Sequence, residues 1–272
     1  MSTTWAAELS TGSGTRAAYD RGVLLIDPPA WPAHGRLWSH LVSDTSVEEL
    51  HAFASRVGIP RRGFEGDHYD VPEERYAAVV AAGAQPIGGR ELLKRLRDSG
   101  LRIAKRKHER VLQSTANAPW LPPGGRADVI TSRQDDAPPN TVVVRLAVTG
   151  PRGLLVHRRP DGEPDLPSRP VGPATARAAL DDLIASTVGP TRPSTPSLIG
   201  YVRNVVREPD TAYPWPTPFA CFVVHALPWT SEALATGEWI ALRDSASELD
   251  HRHWWPVVAL HLGLISVDAA HD

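Results

Sequence analysis

The sequence predicts an α/β protein of two domains: a small N-terminal domain with a mainly parallel sheet, and a C-terminal α/β/α sandwich with a mixed sheet. Three observations lead there. A chain of 272 residues exceeds the usual size of one domain. Short apolar runs alternate with helical patterns between residues 23 and 98, the order that βα units impose. Residues 113 to 138 then turn rich in Pro, Gly, Ser, Asp and Asn, which reads as a linker, and strand-like runs dominate beyond it.

Residues 1 to 20 are small and polar and read as a disordered lead-in, so the first domain spans 21 to 112. Val23 to Ile26 is a buried strand stopped by Pro28 and Pro29, with Asp27 at its carboxyl end. Leu41 and Val42 form a brief apolar step. Asp44, Thr45 and Ser46 precede Glu48 and Glu49 in the manner of a capping box, and Val47, Leu50, Ala54 and Val57 then share a helix face that ends at Gly58 and Pro60. Residues 61 to 65 read as a second strand, and Asp70 to Glu73 open a helix that buries Tyr76, Val79 and Val80. A third strand at 84 to 87 and a helix at 90 to 97, presenting Leu92, Leu93 and Leu96, complete the domain. The basic stretch of Lys105, Arg106, Lys107 and Arg110 reads as a charged linker entry, because no aromatic residues interleave it.

The second domain, 139 to 272, opens with a hairpin of Thr141 to Val148 and Leu154 to His157. A loop at 161 to 173 leads to a helix at 174 to 187 that Gly189 and Pro190 terminate. Strands return at 198 to 206 and 219 to 226, followed by Glu238 to Leu242 and an apolar segment from Trp254.

A net charge of -2 gives no general attraction to nucleic acid or to anionic membrane. The single cysteine, Cys221, excludes an intrachain disulfide and a multi-cysteine zinc site, which suits the reducing cytoplasm. The first twenty residues lack the apolar core of a signal peptide, and His261 and Asp268 interrupt the most apolar later stretch, so no membrane span is expected. The oligomeric state is not legible.

A hairpin, a Leu-Pro loop, a helix ending in Gly and further strands give residues 139 to 264 a layout that resembles a Nudix domain. That resemblance implies a helix with carboxylates three and four residues apart, which share one face and hold the divalent ions that activate water for diphosphate hydrolysis. With Gly189 as the closing glycine, those positions fall on Leu183, Ser186 and Thr187, and only Asp181 and Asp182 are acidic between Ala174 and Gly189. The preceding turn reads Leu-Pro-Ser-Arg-Pro-Val-Gly at 166 to 172, without the family's paired glycines. The half is therefore read as a degenerate, non-hydrolytic Nudix-like module for a nucleotide or another phosphorylated small molecule. Arg158 and Arg159 are its candidate phosphate clasp, although solvated arginines at a hairpin edge look the same in sequence. His251 and His253 share one face if extended, yet lack a third metal ligand, and Trp215, Phe219 and Trp229 are potential base-stacking residues that also suit a core.

Residues 23 to 98 resemble the domain of unknown function 4031 family, through Val-Leu-Leu-Ile-Asp at 23 to 27, Gly35-Arg36, Ser-His-Leu-Val-Ser-Asp at 39 to 44, Glu-Leu-His at 49 to 51, His-Tyr-Asp at 68 to 70 and Gly83-Ala84. Many members carry a second acid after the first strand, where this chain has Pro28. The family label implies no activity. On their own chemistry, Asp27, His40, His68, Tyr69 and Asp70 are candidate catalytic residues, able to act as acid and base or to hold a cation at strand ends. Arg36, Asp44 and His51 are candidate ligand contacts, with helix capping the plainer role for Asp44 and Asp70 and a core position the plainer role for His51. The sequence names no cofactor and assigns no metal site. It carries three functional readings: a phosphorylated-ligand sensor, a hydrolase built on the His/Asp/Tyr set, and a protein-interaction scaffold.

Overall fold

The computed structural model describes residues 23–189, 194–230 and 235–266, so the expected disordered lead-in at 1 to 20 lies outside the described residues. The chain forms a mixed α/β structure around two mixed sheets. In the first part, β1 (Leu24–Ile26), β2 (Trp31–Ala33) and β3 (Arg36–Ser43) precede α1 (Val47–Arg56), and a 3-10 turn at Arg61–Gly63 leads to β4 (Tyr69–Pro72). Then come α2 (Glu73–Ala81), β5 (Gln85–Pro86) and α3 (Gly89–Asp98). The second part contributes β6 (Glu109–Ala116), β7 (Arg126–Ser132), β8 (Thr141–Gly150), β9 (Gly153–Arg158), β10 (Pro164–Asp165), β11 (Ser168–Pro170), α4 (Ala176–Val188), β12 (Ser197–Val205), β13 (Phe219–Pro228), β14 (Glu238–Ile240), α5 (Leu242–Leu249) and α6 (Trp255–His261).

The small sheet runs β2-β3-β1-β5 with β4 paired to β3, and of its pairings only β1 with β5 is parallel. The expected mainly parallel sheet is corrected here. A parallel neighbour needs a crossover of about a dozen residues or more, and the chain returns from β1 to β3 too soon for one, so β3 pairs antiparallel. The brief apolar step at Leu41 and Val42 is the inner end of an eight-residue strand whose outer end is exposed. Residues 61 to 65, expected as a strand, hold the 3-10 turn instead. Ser46, not Asp44, caps α1, accepting from the Glu49 N–H, and Asp70 does not cap α2, which starts after Pro72 without a side-chain cap.

The large sheet runs β10-β9-β8-β13-β12-β7-β6, with β11 on β8 and β14 on β9. The segment expected as a linker, 113 to 138, supplies half of β6 and all of β7 to this sheet, where Ala127, Val129 and Ile130 are buried. Its Pro-Pro-Gly-Gly run is the turn between the two strands, and a register shift between Val111 and Gln113 breaks the period-two pattern that would have marked β6. Alternate residues divide the sheet into two cores. Val143, Ala147, Phe222 and Val224 face Trp254 and Trp255 near α6, while Val144, Leu146 and Val223 face Leu180, Leu183 and Ile184 of α4. The second half is thus an α/β/α sandwich.

The segment after α3 ties the two sheets together through Arg102, Ile103 and Lys105, while Lys107 is exposed. Asp67, buried at 1% exposure, accepts from Arg102 Nη1 at 2.9 Å and from the Ile103 N–H at 2.6 Å. Lys105 Nζ donates to the Glu65 carbonyl at 2.7 Å, and Arg106 pairs with Glu109 at 2.7 Å. Gly66, at φ +97°, allows β6 to approach so closely that a side chain there would meet Val111 Cβ at 2.7 Å. Among the described residues no helix is long and apolar enough to cross a membrane.

Candidate functional site

The antiparallel register of β3 and β4 builds the centre of the site. His40 stands directly opposite Asp70, and Leu41 opposite Tyr69. Because strand residues alternate faces, Leu41, Tyr69 and Val71 enter the core with Phe53 and Phe64, while His40 and Asp70 face the other way. His68, at the entrance to β4, places its ring 5.1 Å from that of His40. One ligand atom each from His40, His68 and Asp70 lies within 4.8 Å of the others.

Each histidine is held from behind by a buried carboxylate. His40 Nδ1 lies 3.0 Å from Asp27 Oδ2, while Asp27 Oδ1 takes the His40 backbone N–H at 2.5 Å and the Trp31 indole adds a bond at 3.2 Å. Gly89 at the start of α3 leaves room for this carboxylate, since a Cβ there would sit 3.2 Å from Asp27 Oδ2. His68 Nδ1 lies 2.6 Å from Asp67 Oδ1, and its Nε2 lies 3.4 Å from Asp70 Oδ1. Carboxylate–imidazole pairs of this kind fix the ring and direct the remaining nitrogen toward a ligand.

The electrostatics follow from burial and partners together. Burial works against the charge of Asp27, but the bonds from His40 and Trp31 outweigh it and hold the carboxyl below the usual range. Asp67 behaves alike, with His68, Arg102 and the Ile103 N–H overcoming a larger burial. Burial pushes His68 down, yet Asp67 and Asp70 reverse this and raise it to about 9. A metal ion would take the place of that proton.

His40 and Asp70 open on a cleft of about 740 Å³, lined also by Trp31, Trp38, Arg62 and Arg110. Arg110 comes from β6, so both sheets contribute to this cleft, and its buried Nε has no hydrogen-bond partner.

Among the candidate residues, Asp27, His40, His68 and Asp70 are brought together, and Tyr69 is not. Its hydroxyl pairs with His51 Nδ1 at 2.8 Å on the opposite face of β4. His51 is half-buried and packs edge-on against Phe64. Arg36 pairs with Glu74 on the exposed hairpin and stacks over Trp38. Asp44 accepts the Val23 N–H at 2.9 Å at the far end of β3. Arg158 is paired with Glu238 at 2.8 Å and Arg159 with Asp161 at 3.0 Å, so each guanidinium of the expected phosphate clasp already has a carboxylate partner. On α4, Leu183 and Thr187 are buried at 4% and 1% exposure, so two of the Nudix-type ligand positions point into protein. His253 stacks on Trp120 at 5.7 Å, Trp215 packs edge-on against Phe222, and Trp229 is buried. Asp67 belongs to the loop that the sequence sends toward the strand ends but had no role assigned there, and Trp31, Trp38, Arg62 and Arg110 in the cleft are residues that sequence reasoning left out of the site. A buried acid beside a histidine was the available signal for Asp67; Arg110 had none.

Residues 24–99 match the model of the family described as Protein of unknown function (DUF4031). No curated protein matches the chain. Among solved structures, the chain is similar to the Bacillus subtilis pyrophosphohydrolase BsRppH, crystallised as a point mutant, with 12% identity and a TM-score of 0.30. The match covers 43% of this chain and 65% of that one.

Proposed function

We propose that the first sheet carries a divalent-metal centre for hydrolysis, with His40, His68 and Asp70 as ligands, and that the second sheet is a non-hydrolytic module for a nucleotide or other phosphorylated small molecule. The observation that carries the metal centre is the convergence of two imidazoles and a carboxylate whose rings are already oriented by Asp27 and Asp67. The 3.4 Å between His68 Nε2 and Asp70 Oδ1 suits two ligands of one ion. At bond lengths near 2.0–2.1 Å and tetrahedral angles, two ligand atoms stand roughly 3.3 Å apart. Imidazole with carboxylate favours zinc, iron or manganese over magnesium or calcium.

An ion with only these protein ligands keeps open positions, where bound water becomes acidic enough to act as a nucleophile near neutral pH. Arg62 and Arg110 across the cleft favour a substrate with an anionic group, and Trp31 and Trp38 offer apolar walls. On α4, Leu183, Ser186 and Thr187 offer no carboxylate for a Nudix-type metal, which favours a non-hydrolytic reading of the other half. A cytoplasmic setting fits the lone, buried thiol of Cys221.

The test is turnover of a panel of phosphate mono- and diesters by the full chain loaded with zinc or manganese. His68→Ala and Asp70→Ala are expected to lower kcat by at least about a hundredfold, in line with loss of a nucleophile-generating ion. Turnover that persists in both variants contradicts the assignment.

A further inference from the structure

On β8, Val143 and Ala147 face the core around Trp254 and Trp255, so Arg145 between them points into the same apolar layer. Its guanidinium lies 5.6 Å over the Phe222 ring, and its Nε and Nη1 are buried without a hydrogen-bond partner. Arg252, 9% exposed, gives Nε to the Pro164 carbonyl at 2.9 Å, while its Nη2 is buried and unpartnered. The carboxylate near both is Asp165, whose Oδ1 already accepts the Leu166 N–H and the Trp254 indole, each at 2.8 Å. Asp165 Oδ2 stands 3.9 Å from Arg159. The charges acting on Arg145 are therefore one carboxylate and two further guanidiniums, those of Arg159 and Arg252.

Arginine keeps its charge inside a protein, and a buried cation without a matching anion is costly, so the arrangement lacks a negative partner. Arg252 lines a cavity of about 230 Å³ together with Gln113, Thr115, Trp120, His253 and the carboxylate-bearing Asp250, and Arg145 lies outside that lining. Burial first, and Arg145 next, press the His253 imidazole down to about 4, so at neutral pH it offers hydrogen bonds without adding charge.

We infer that this face of the second sheet is an oxyanion site, in which Arg252 takes a phosphate group and the nearby charge of Arg145 favours it. The cavity is below the size that encloses a drug-sized ligand, so it admits the phosphate and leaves any attached body outside, against Trp120. The inference borrows from the proposed function only the choice of a phosphorylated ligand. It does not depend on the metal centre of the first sheet, or on Arg158 and Arg159 acting as a clasp.

The experiment is titration calorimetry on the full chain at fixed ionic strength, with a chelator present so that phosphate cannot bind through an ion at His40 and His68. Inorganic phosphate, a nucleoside monophosphate and the phosphate-free nucleoside are compared. Phosphate is expected to bind once per chain, with Arg252→Gln weakening it at least about tenfold. Arg145→Met is expected to weaken binding and to raise the melting midpoint in phosphate-free buffer, because an unpaired buried charge has gone. Tighter binding of the monophosphate than of phosphate assigns the group to a larger ligand; equal binding assigns a free oxyanion. The inference is overturned if phosphate fails to bind at about 10 mM, or if the Arg252→Gln chain binds as the parent does. Should Arg145→Met not fold, Arg252→Gln decides alone.

Discussion

Asp67 accepts the Ile103 backbone N–H at 2.6 Å, and the same carboxylate holds His68 Nδ1 at 2.6 Å. A residue of the proposed metal centre is thus positioned by the segment that enters the second sheet. The contacts explain why: α3 ends at Asp98, and the segment from there to β6 runs against Glu65 and Asp67, just ahead of β4.

Asp67→Asn keeps the volume but removes the charge that both Arg102 and His68 face. Global stability is expected to fall by about 2–4 kcal/mol, as for other broken buried pairs, measured by urea unfolding. Metal affinity is expected to fall about 10–100-fold, the usual effect of losing a carboxylate behind a ligating histidine. An unchanged affinity would separate Asp67 from the centre.

Gly66→Ala combines strain at φ +97° with a Cβ placed 2.7 Å from Val111 Cβ. Backbone strain and overpacking together are expected to cost about 2–4 kcal/mol. Hydrogen exchange should show the loosening concentrated at β4 and β6; equal protection in both proteins would argue against the close approach.

His225, 6% exposed with an unpartnered Nδ1, is pushed down to about 4 by burial and, less, by Arg177. The unfolded chain therefore binds more protons than the folded one between about pH 6.5 and 4, so stability is full above that window and falls as pH drops through it. The loss from this residue reaches about 3 kcal/mol at most. His225→Leu should flatten the slope of stability against pH there, while His253, also near 4, keeps a residual slope. A slope identical to the parent's would place the acid sensitivity elsewhere.

Restoring the Nudix-type carboxylates is expected to damage the second half rather than repair it. Leu183 and Thr187 are buried, so Leu183→Glu or Thr187→Glu places a charge among Leu180, Ile184 and Val188 at a cost of at least about 3 kcal/mol. Diphosphate hydrolysis appearing in the triple variant with Ser186→Glu would show that α4 faces a substrate after all.

The second sheet was legible where apolar periodicity was regular: β8, β9, α4, β12 and β13 fall close to their expected places. β6 and β7 were not, because Gly, Pro and a register shift gave them a linker's composition while the pairing of β7 with β12, and of β6 with β7, gave them a strand's environment. The mainly parallel first sheet was misread for a related reason: helices between strands suggest crossovers, but β3 returns beside β1 through β2 alone. At the site, His40 and Asp70 could be named as candidates but not as partners, since 30 residues separate them and only the β3–β4 register puts them opposite. Tyr69 was drawn in by adjacency to His68 and excluded by strand alternation. Arg145 and Arg252 carry no local signal at all, because their isolation arises from which side chains fold around them.

The most direct measurement is zinc X-ray absorption on the full chain, together with metal content after dialysis. The predicted result is one ion per chain, with two imidazole nitrogens and carboxylate oxygen at about 2.0–2.2 Å, lost in both His40→Ala and His68→Ala. A chain that retains no ion, or a spectrum without imidazole scattering that persists in those variants, would contradict a metal centre at His40, His68 and Asp70.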